Sequence, residues 1–384
     1  MARVEITSIA NGGYGIGRYN GKVIFIPFSY PGDIVEVSIS YEKKNYIWGN
    51  IQEIVTPSKF RISPLCPYMG ICGGCMWGCV DYTSQIMWKK SLVESTFQNF
   101  LNYLHEINIS IDETSIYNYR TRVKLHSNGK TLGFYKFHSH DVVEVSKCIL
   151  LHEKIIKITN EIKNIPRLAE IILTVNPFGE ESLIYTNIKI QTIKNKYKEI
   201  YNYKNDFASR KYFLVDGVPI VNGSFSQNSL ILNKLLINKV REYLNCKNGK
   251  VLDLYCGSGN LTINLPSSSF EITGVDIDPF AIELARKYSS FDYKVGSELL
   301  MKKIILDSNW DAIILDPPRE GAKNLIEALK LACTKKIIYV SCNYITQCRD
   351  LKPLLMGGWK LEKVSIVDLF PHTPHIETVV LLTR

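Results

Sequence analysis

The chain has 384 residues, of which 46% are hydrophobic and 22% charged, and it carries a net charge of +9. That length exceeds one small core and suits roughly two or three domains, and the composition excludes a disordered or fibrous protein. No apolar run approaches the ~18 residues that span a bilayer, so the expectation is a cytoplasmic protein with no membrane contact.

Met1 to Ile9 alternates, with charges at Arg3 and Glu5, and reads as a strand rather than a secretory leader. Across residues 1–57 short β-branched segments at Val4–Ile6, Val23–Ile26 and Ile34–Ile39 are separated by Asn11-Gly12-Gly13, Asn20-Gly21 and Pro31-Gly32. Such strands and turns predict a small OB-like barrel, a common platform for RNA. Gly13, Gly15 and Gly17 mimic a nucleotide loop, but Asn20-Gly21 turns the chain where a helix would have to follow.

Residues 58–230 read as a central α+β domain. Cys66, Cys72, Cys75 and Cys79 crowd into one stretch, whereas the other six of the ten cysteines are scattered. In a cytosolic protein this points to metal or catalysis rather than disulfides. A helix is predicted from Ser84 to about Leu104, and strands over Arg122–Leu125 and Val142–Val145. Arg120, Arg122 and Lys124 alternate, so one strand face gathers three cations as a candidate RNA contact; Lys43 and Lys44 on the barrel are a second.

From about 231 the texture changes to alternating helix and strand. Apolar strands start near Lys250, Phe270, Trp310 and Lys336, with helices over Pro279–Tyr288 and Asn324–Cys333 between them. This is a Rossmann-like, doubly wound α/β domain over 231–384, whose ligands bind at the strands' carboxyl ends. Asp253 closes the first strand and precedes a loop with Gly257 and Gly259; Asp276 closes the second, where an acid can accept from ribose hydroxyls. A dinucleotide competes for such a loop, but Asp253 would repel its pyrophosphate. A carboxylate there suits the cationic methionine end of S-adenosylmethionine.

Two later strand ends carry reactive groups. Asp316-Pro317-Pro318-Arg319 is a rigid loop, with Arg319 standing where base-amino methyltransferases carry an aromatic. Ser341-Cys342-Asn343 offers a thiol. Carbon 5 of uracil is a poor nucleophile, but thiolate addition to carbon 6 makes the ring an enolate that can take a methyl group at carbon 5. Loss of the carbon-5 proton then needs a base, for which His372, His375 and Glu377 are candidates.

Together these residues resemble the RNA uracil-5-methyltransferase family, specifically its iron–sulfur members acting on 23S ribosomal RNA, over nearly the whole chain. Residues 1–57 are similar to its TRAM RNA-binding module, and Phe225-Ser226-Gln227-Asn228 to a segment whose glutamine contacts the cofactor. The resemblance implies that Gln227, Tyr255, Gly257, Asn260 and Asp276 bind S-adenosylmethionine, with Asp316 near both cofactor and uracil. It implies Cys342 as nucleophile and Glu377 as proton acceptor. It also implies a [4Fe–4S] cluster on Cys66, Cys72, Cys75 and Cys148; on the residues alone Cys79 competes for the fourth place and zinc suits four cysteines equally. Three positions depart from the family pattern: Tyr344 replaces a usual proline, Asp276 a commoner glutamate, and Gly296-Ser297 lacks the carboxylate that often follows that glycine. The expected function is methylation of a uridine at carbon 5, first in 23S rRNA and second in tRNA, by a monomer. The target base would leave its stack, at roughly a few kcal/mol, with Phe225 available to hold it. Base-amino methylation and non-catalytic RNA binding are the rivals.

Overall fold

A computed structural model describes residues 2–162, 164–165, 167–206 and 210–384, so of the N-terminal segment only Met1 lies outside the described residues. The chain forms two compact units, one of residues 1–95, 133–149 and 370–375, the other of residues 96–132, 150–369 and 376–384.

In the first unit, strands Ala2–Glu5, Ser8–Ile9, Gly15–Tyr19, Lys22–Ile26, Ile34–Glu42 and Tyr46–Thr56 form one sheet in the order first, fifth, sixth, fourth, third, second. Alternation sends Val4, Ile24, Ile26, Val35, Val37 and Ile47 into its core. Buried Asp33 ties this sheet to the segment around Ser58 and Arg61: it accepts from the Tyr30 and Ser58 amides and from Arg61 at 2.7 Å. The cysteine segment comes next, around a cluster that includes Tyr30, Trp77 and Trp88. Gly73 donates to the Tyr135 carbonyl, and Phe137 to that of Ile71.

The second unit is built on an eight-stranded sheet. Asp292–Val295, Phe270–Asp276, Gly249–Leu254, Ala312–Leu315 and Lys336–Ser341 run parallel in that order. Glu377–Thr383 then pairs antiparallel with Lys336–Ser341 and with Lys360–Val367, and Asn108–Ser110 completes the edge. The helix expected from Pro279 to Tyr288 has those bounds, because Asp278 caps the Phe280 and Ala281 amides and Pro279 occupies the first turn. The apolar run from Trp310 is not one strand. Asp311 accepts from the Lys250 amide, leaving Ala312–Leu315 in the main sheet while Asn309–Trp310 pairs with Cys333–Thr334. A second sheet holds Arg122–Asn128, Leu168–Val175, Ser182–Thr186 and Tyr201–Tyr203. Among the described residues no helix is long and apolar enough to cross a membrane.

Candidate active site

The cleft lies where a doubly wound sheet puts ligands, beyond the carboxyl ends of its strands. It encloses about 680 Å³ of free space including its mouth, and its lining includes Phe225, Gln227, Tyr255, Gly257, Asn260, Asp276 and Asp316. All six residues predicted to meet the cofactor are therefore brought together. Gly257, at φ +55°, has no atom within 4 Å of where a Cβ would stand, so the backbone there faces open space that a ligand can approach.

Partners of these side chains refine the prediction. Asp276 accepts from the Gly257 amide at 2.8 Å and the Asp278 amide at 2.9 Å, one per carboxylate oxygen, which fixes its orientation and leaves lone pairs for hydroxyls. Asn260 exchanges two amide bonds with Asn233, at 2.6 and 3.2 Å, so it is held before any ligand arrives. Tyr255 adopts φ +60°, rare for a side chain of its size, and its hydroxyl donates to Glu298 at 2.6 Å. Glu298, one place beyond Gly296-Ser297, also accepts from Asn324 at 2.7 Å, so both its oxygens are engaged by protein groups.

Buried Asp253 accepts from Thr262 at 2.5 Å through one oxygen, while its other oxygen is enclosed with no partner. Burial, with added repulsion from Asp316 and Asp276, pushes its carboxyl up to about 7. Asp253 is fully buried and is not among the lining residues, so the groups that face a ligand are the polar set Gln227, Asn260, Asp276 and Asp316, of which two are carboxylates that suit a cationic cofactor bearing hydroxyls. The residues therefore fit S-adenosylmethionine.

The groups expected to react stand at the next strand ends. Ser341 pairs with Thr378 as the last rung of the antiparallel ladder, and Cys342 follows the one as Glu377 precedes the other, near enough for the Glu377 charge to act on the thiol. Glu377 is 2% exposed. Burial, reinforced by Asp316, lifts its carboxyl well above the usual range, and Arg319 opposes this. Burial likewise pushes the Cys342 thiol up to about 11; Glu377 and Asp316 add to the shift, while the Arg319 charge and hydrogen bond counter it. Burial alone takes Asp316 to about 7. Arg319, whose charge acts on both Cys342 and Glu377, is not among the site residues expected from the sequence, although its place in the Asp-Pro-Pro-Arg turn was the available signal.

Asn343 caps helix Tyr344–Met356 through the Thr346 amide, so Cys342 sits just ahead of a helix N-terminus, whose dipole favours a thiolate. Tyr344, where the family carries proline, is the first helical residue. It is 4% exposed and its hydroxyl bonds Thr96, so packing supplies the rigidity a proline would have given.

Two expectations are corrected or narrowed. Arg122 does not join a solvent face: its guanidinium donates to Ser224, Ser226 and Thr174, and Lys124 pairs with Glu170 at 3.2 Å. Cys66 is buried and Cys72, Cys75, Cys79 and Cys148 are half-buried, all in the first unit, with the Gly74 amide donating to the Cys72 sulfur at 3.4 Å. Among the described residues no three His, Cys, Asp or Glu side chains are grouped to hold a metal ion, so neither the expected cluster nor the zinc alternative is shown. His372 belongs to the first unit, where its ring meets Gln85 at 3.1 Å and its amide donates to the same side chain.

The profile of the tRNA (uracil-5-)-methyltransferase family matches residues 180–292 and 294–384, more than half the chain, and a tRNA (uracil(54)-C(5))-methyltransferase TRAM-domain profile matches residues 2–60. The chain belongs to the uracil-5-methyltransferase family. It is an S-adenosylmethionine-dependent RNA (uracil-5-)-methyltransferase. The enzyme is 30% identical to an uncharacterized RNA methyltransferase of Clostridium tetani, over 98% of this chain and 95% of that one. It is 28% identical to the 23S rRNA (uracil(1939)-C(5))-methyltransferase of Aeromonas hydrophila, over 100% and 96%. Its fold matches the Pyrococcus abyssi tRNA (uracil-54, C5)-methyltransferase crystallised with S-adenosyl-L-homocysteine, with a TM-score of 0.76, 24% identity and full coverage of both chains.

Proposed function

We propose that the enzyme methylates carbon 5 of a uridine in 23S rRNA through Cys342 and Glu377. The observation that carries this reading is the nearness of Cys342 and Glu377 just beyond the last rung of two interior strands, within charge reach of Asp316 and Arg319. In our reading Gln227, Tyr255, Gly257, Asn260, Asp276 and Asp316 bind the cofactor, which when bound supplies an electrophilic methyl group. The Cys342 thiolate forms a bond to carbon 6, and the ring electrons move to carbon 5, which takes the methyl group as the electron pair of the methyl–sulfur bond is left on the cofactor's sulfur. The Glu377 carboxylate then accepts the carbon-5 proton, the sulfur–carbon bond breaks, and the thiolate is regenerated. Arg319 favours the thiolate beforehand.

The reactive form of Cys342 is deprotonated and burial places its thiol at about 11, so kcat/KM is expected to rise with pH through the alkaline range. Arg319→Met removes the opposing charge and moves that rising limb to higher pH. Profiles that are flat, or that superimpose for the two proteins, would contradict the assignment.

We divide the work among a barrel at 1–57, a central domain at 58–230 and the methyltransferase domain at 231–384, in a cytoplasmic monomer. Four thiols of one unit, Cys66, Cys72, Cys75 and Cys148, suit a [4Fe–4S] cluster, which holds its sulfurs wider apart than one ion does. Protein purified without oxygen is expected to be brown and to contain iron and sulfide; a colourless protein with stoichiometric zinc would refute this. The ribosomal substrate is favoured by the near-complete overlap with the Aeromonas hydrophila enzyme, and tRNA is the second reading, supported by the Pyrococcus abyssi fold. With methyl-labelled S-adenosylmethionine and equal amounts of unmodified 23S and transfer RNA, label is expected in the 23S fraction. Label confined to tRNA would reverse that choice.

A further inference from the structure

The segment carrying Phe225 and Gln227 takes its path from the start of one strand. The amides of Thr121 and Arg122 donate to the Asn228 carbonyl at 2.9 and 3.1 Å, and the Thr121 hydroxyl accepts from the Leu230 amide at 2.9 Å. The Arg122 guanidinium reaches back to the other end. It donates to the Ser224 carbonyl at 2.6 Å and to the hydroxyls of Ser226 and Thr174, each at 3.2 Å. Gly223 enters at φ +84°, and a Cβ there would meet the Tyr185 ring at 2.6 Å, so the approach of the segment is set as well.

Between these ties the side chains diverge. Ser224 and Ser229 are buried, Gln227 lines the cleft at 8% exposure, and Phe225 stands at its mouth at 77% exposure. A large aromatic so exposed recovers little by packing, which fits a ring kept for a ligand. The bonds from Arg122 all run to neutral groups, and a buried cation bonded only to such groups recovers less of its desolvation than one paired with a carboxylate. Geometry therefore explains this arginine better than stability does.

We propose that Arg122 is a positioning residue, whose planar fork sets the Ser224–Ser226 turn so that Phe225 faces the incoming uracil while Gln227 faces the cofactor. This rests on the proposed function, in which the uracil arrives beside Asp316. A lysine keeps the charge but not the fork, so it recovers the geometry only in part.

Arg122→Met, Arg122→Lys, Phe225→Ala and the double variant Arg122→Met/Phe225→Ala are compared for melting temperature, KM for RNA, and affinity for S-adenosylhomocysteine without RNA. Arg122→Met is expected to raise KM roughly tenfold and to weaken S-adenosylhomocysteine severalfold, and Phe225→Ala to raise KM roughly tenfold. Arg122→Lys falls between wild type and Arg122→Met, and the double variant has a KM no higher than Phe225→Ala alone. A folded Arg122→Met with normal KM, or KM defects that multiply in the double variant, overturns the proposal. If Arg122→Met does not fold, Arg122→Lys combined with Phe225→Ala decides by the same non-additivity. If wild type methylates no uracil, the functional reading fails, yet an unchanged S-adenosylhomocysteine affinity in the Arg122 variants still overturns this proposal separately.

Discussion

Cys342→Ala is expected to reduce methyl transfer by at least ~10⁴-fold while RNA binding persists, because an acting nucleophile has no substitute in the site. The thiol is half-buried at a strand end, ahead of the capped helix Tyr344–Met356, and its loss removes one small side chain without disturbing the Asn343 cap. Tyr344 remains packed and bonded to Thr96, so the turn keeps its shape. Gel-shift affinity for RNA should stay within a few-fold of wild type, and the melting temperature should barely move. Methylation at the wild-type rate by Cys342→Ala would end the thiolate mechanism and leave Asp316 as the reactive group.

Glu377→Gln has a different expected signature: a protein–RNA adduct that survives denaturation, with turnover reduced ~10²–10⁴-fold. The amide is nearly isosteric with the buried carboxyl, so the strand Glu377–Thr383 keeps its register against Lys336–Ser341. It also removes one of the groups that hold the Cys342 thiol high, so attack on carbon 6 is not impeded. Methyl transfer can proceed, but the carbon-5 proton has no acceptor and the sulfur–carbon bond persists. Intact-protein mass spectrometry reads this directly. Free protein alone, with wild-type turnover, would show that the base is elsewhere.

Much of this site is legible in the sequence because the chemistry sits at strand ends, which apolar runs locate well. The apolar runs Phe270–Asp276 and Lys336–Ser341 have the same bounds as the strands they form, and with them come the positions of Asp276 and Cys342. What is not legible depends on partners distant in the chain. Alternating Arg120, Arg122 and Lys124 look alike whether a strand face meets water or protein, and only the fold brings Ser224 and Ser226 to Arg122. Tyr344 in place of proline reads as lost rigidity, since burial against a residue such as Thr96 leaves no local signal. The antiparallel return of Glu377–Thr383 beside Lys336–Ser341 is also hidden, yet that pairing brings Glu377 and Cys342, the proposed base and nucleophile, together.

The most direct test is to label RNA with methyl-labelled S-adenosylmethionine and the purified enzyme, digest it to nucleosides and identify the labelled one. The labelled nucleoside is expected to be 5-methyluridine, formed by wild type and lost in Cys342→Ala. Label on an exocyclic amine, or 5-methyluridine formed undiminished by the alanine variant, would contradict it.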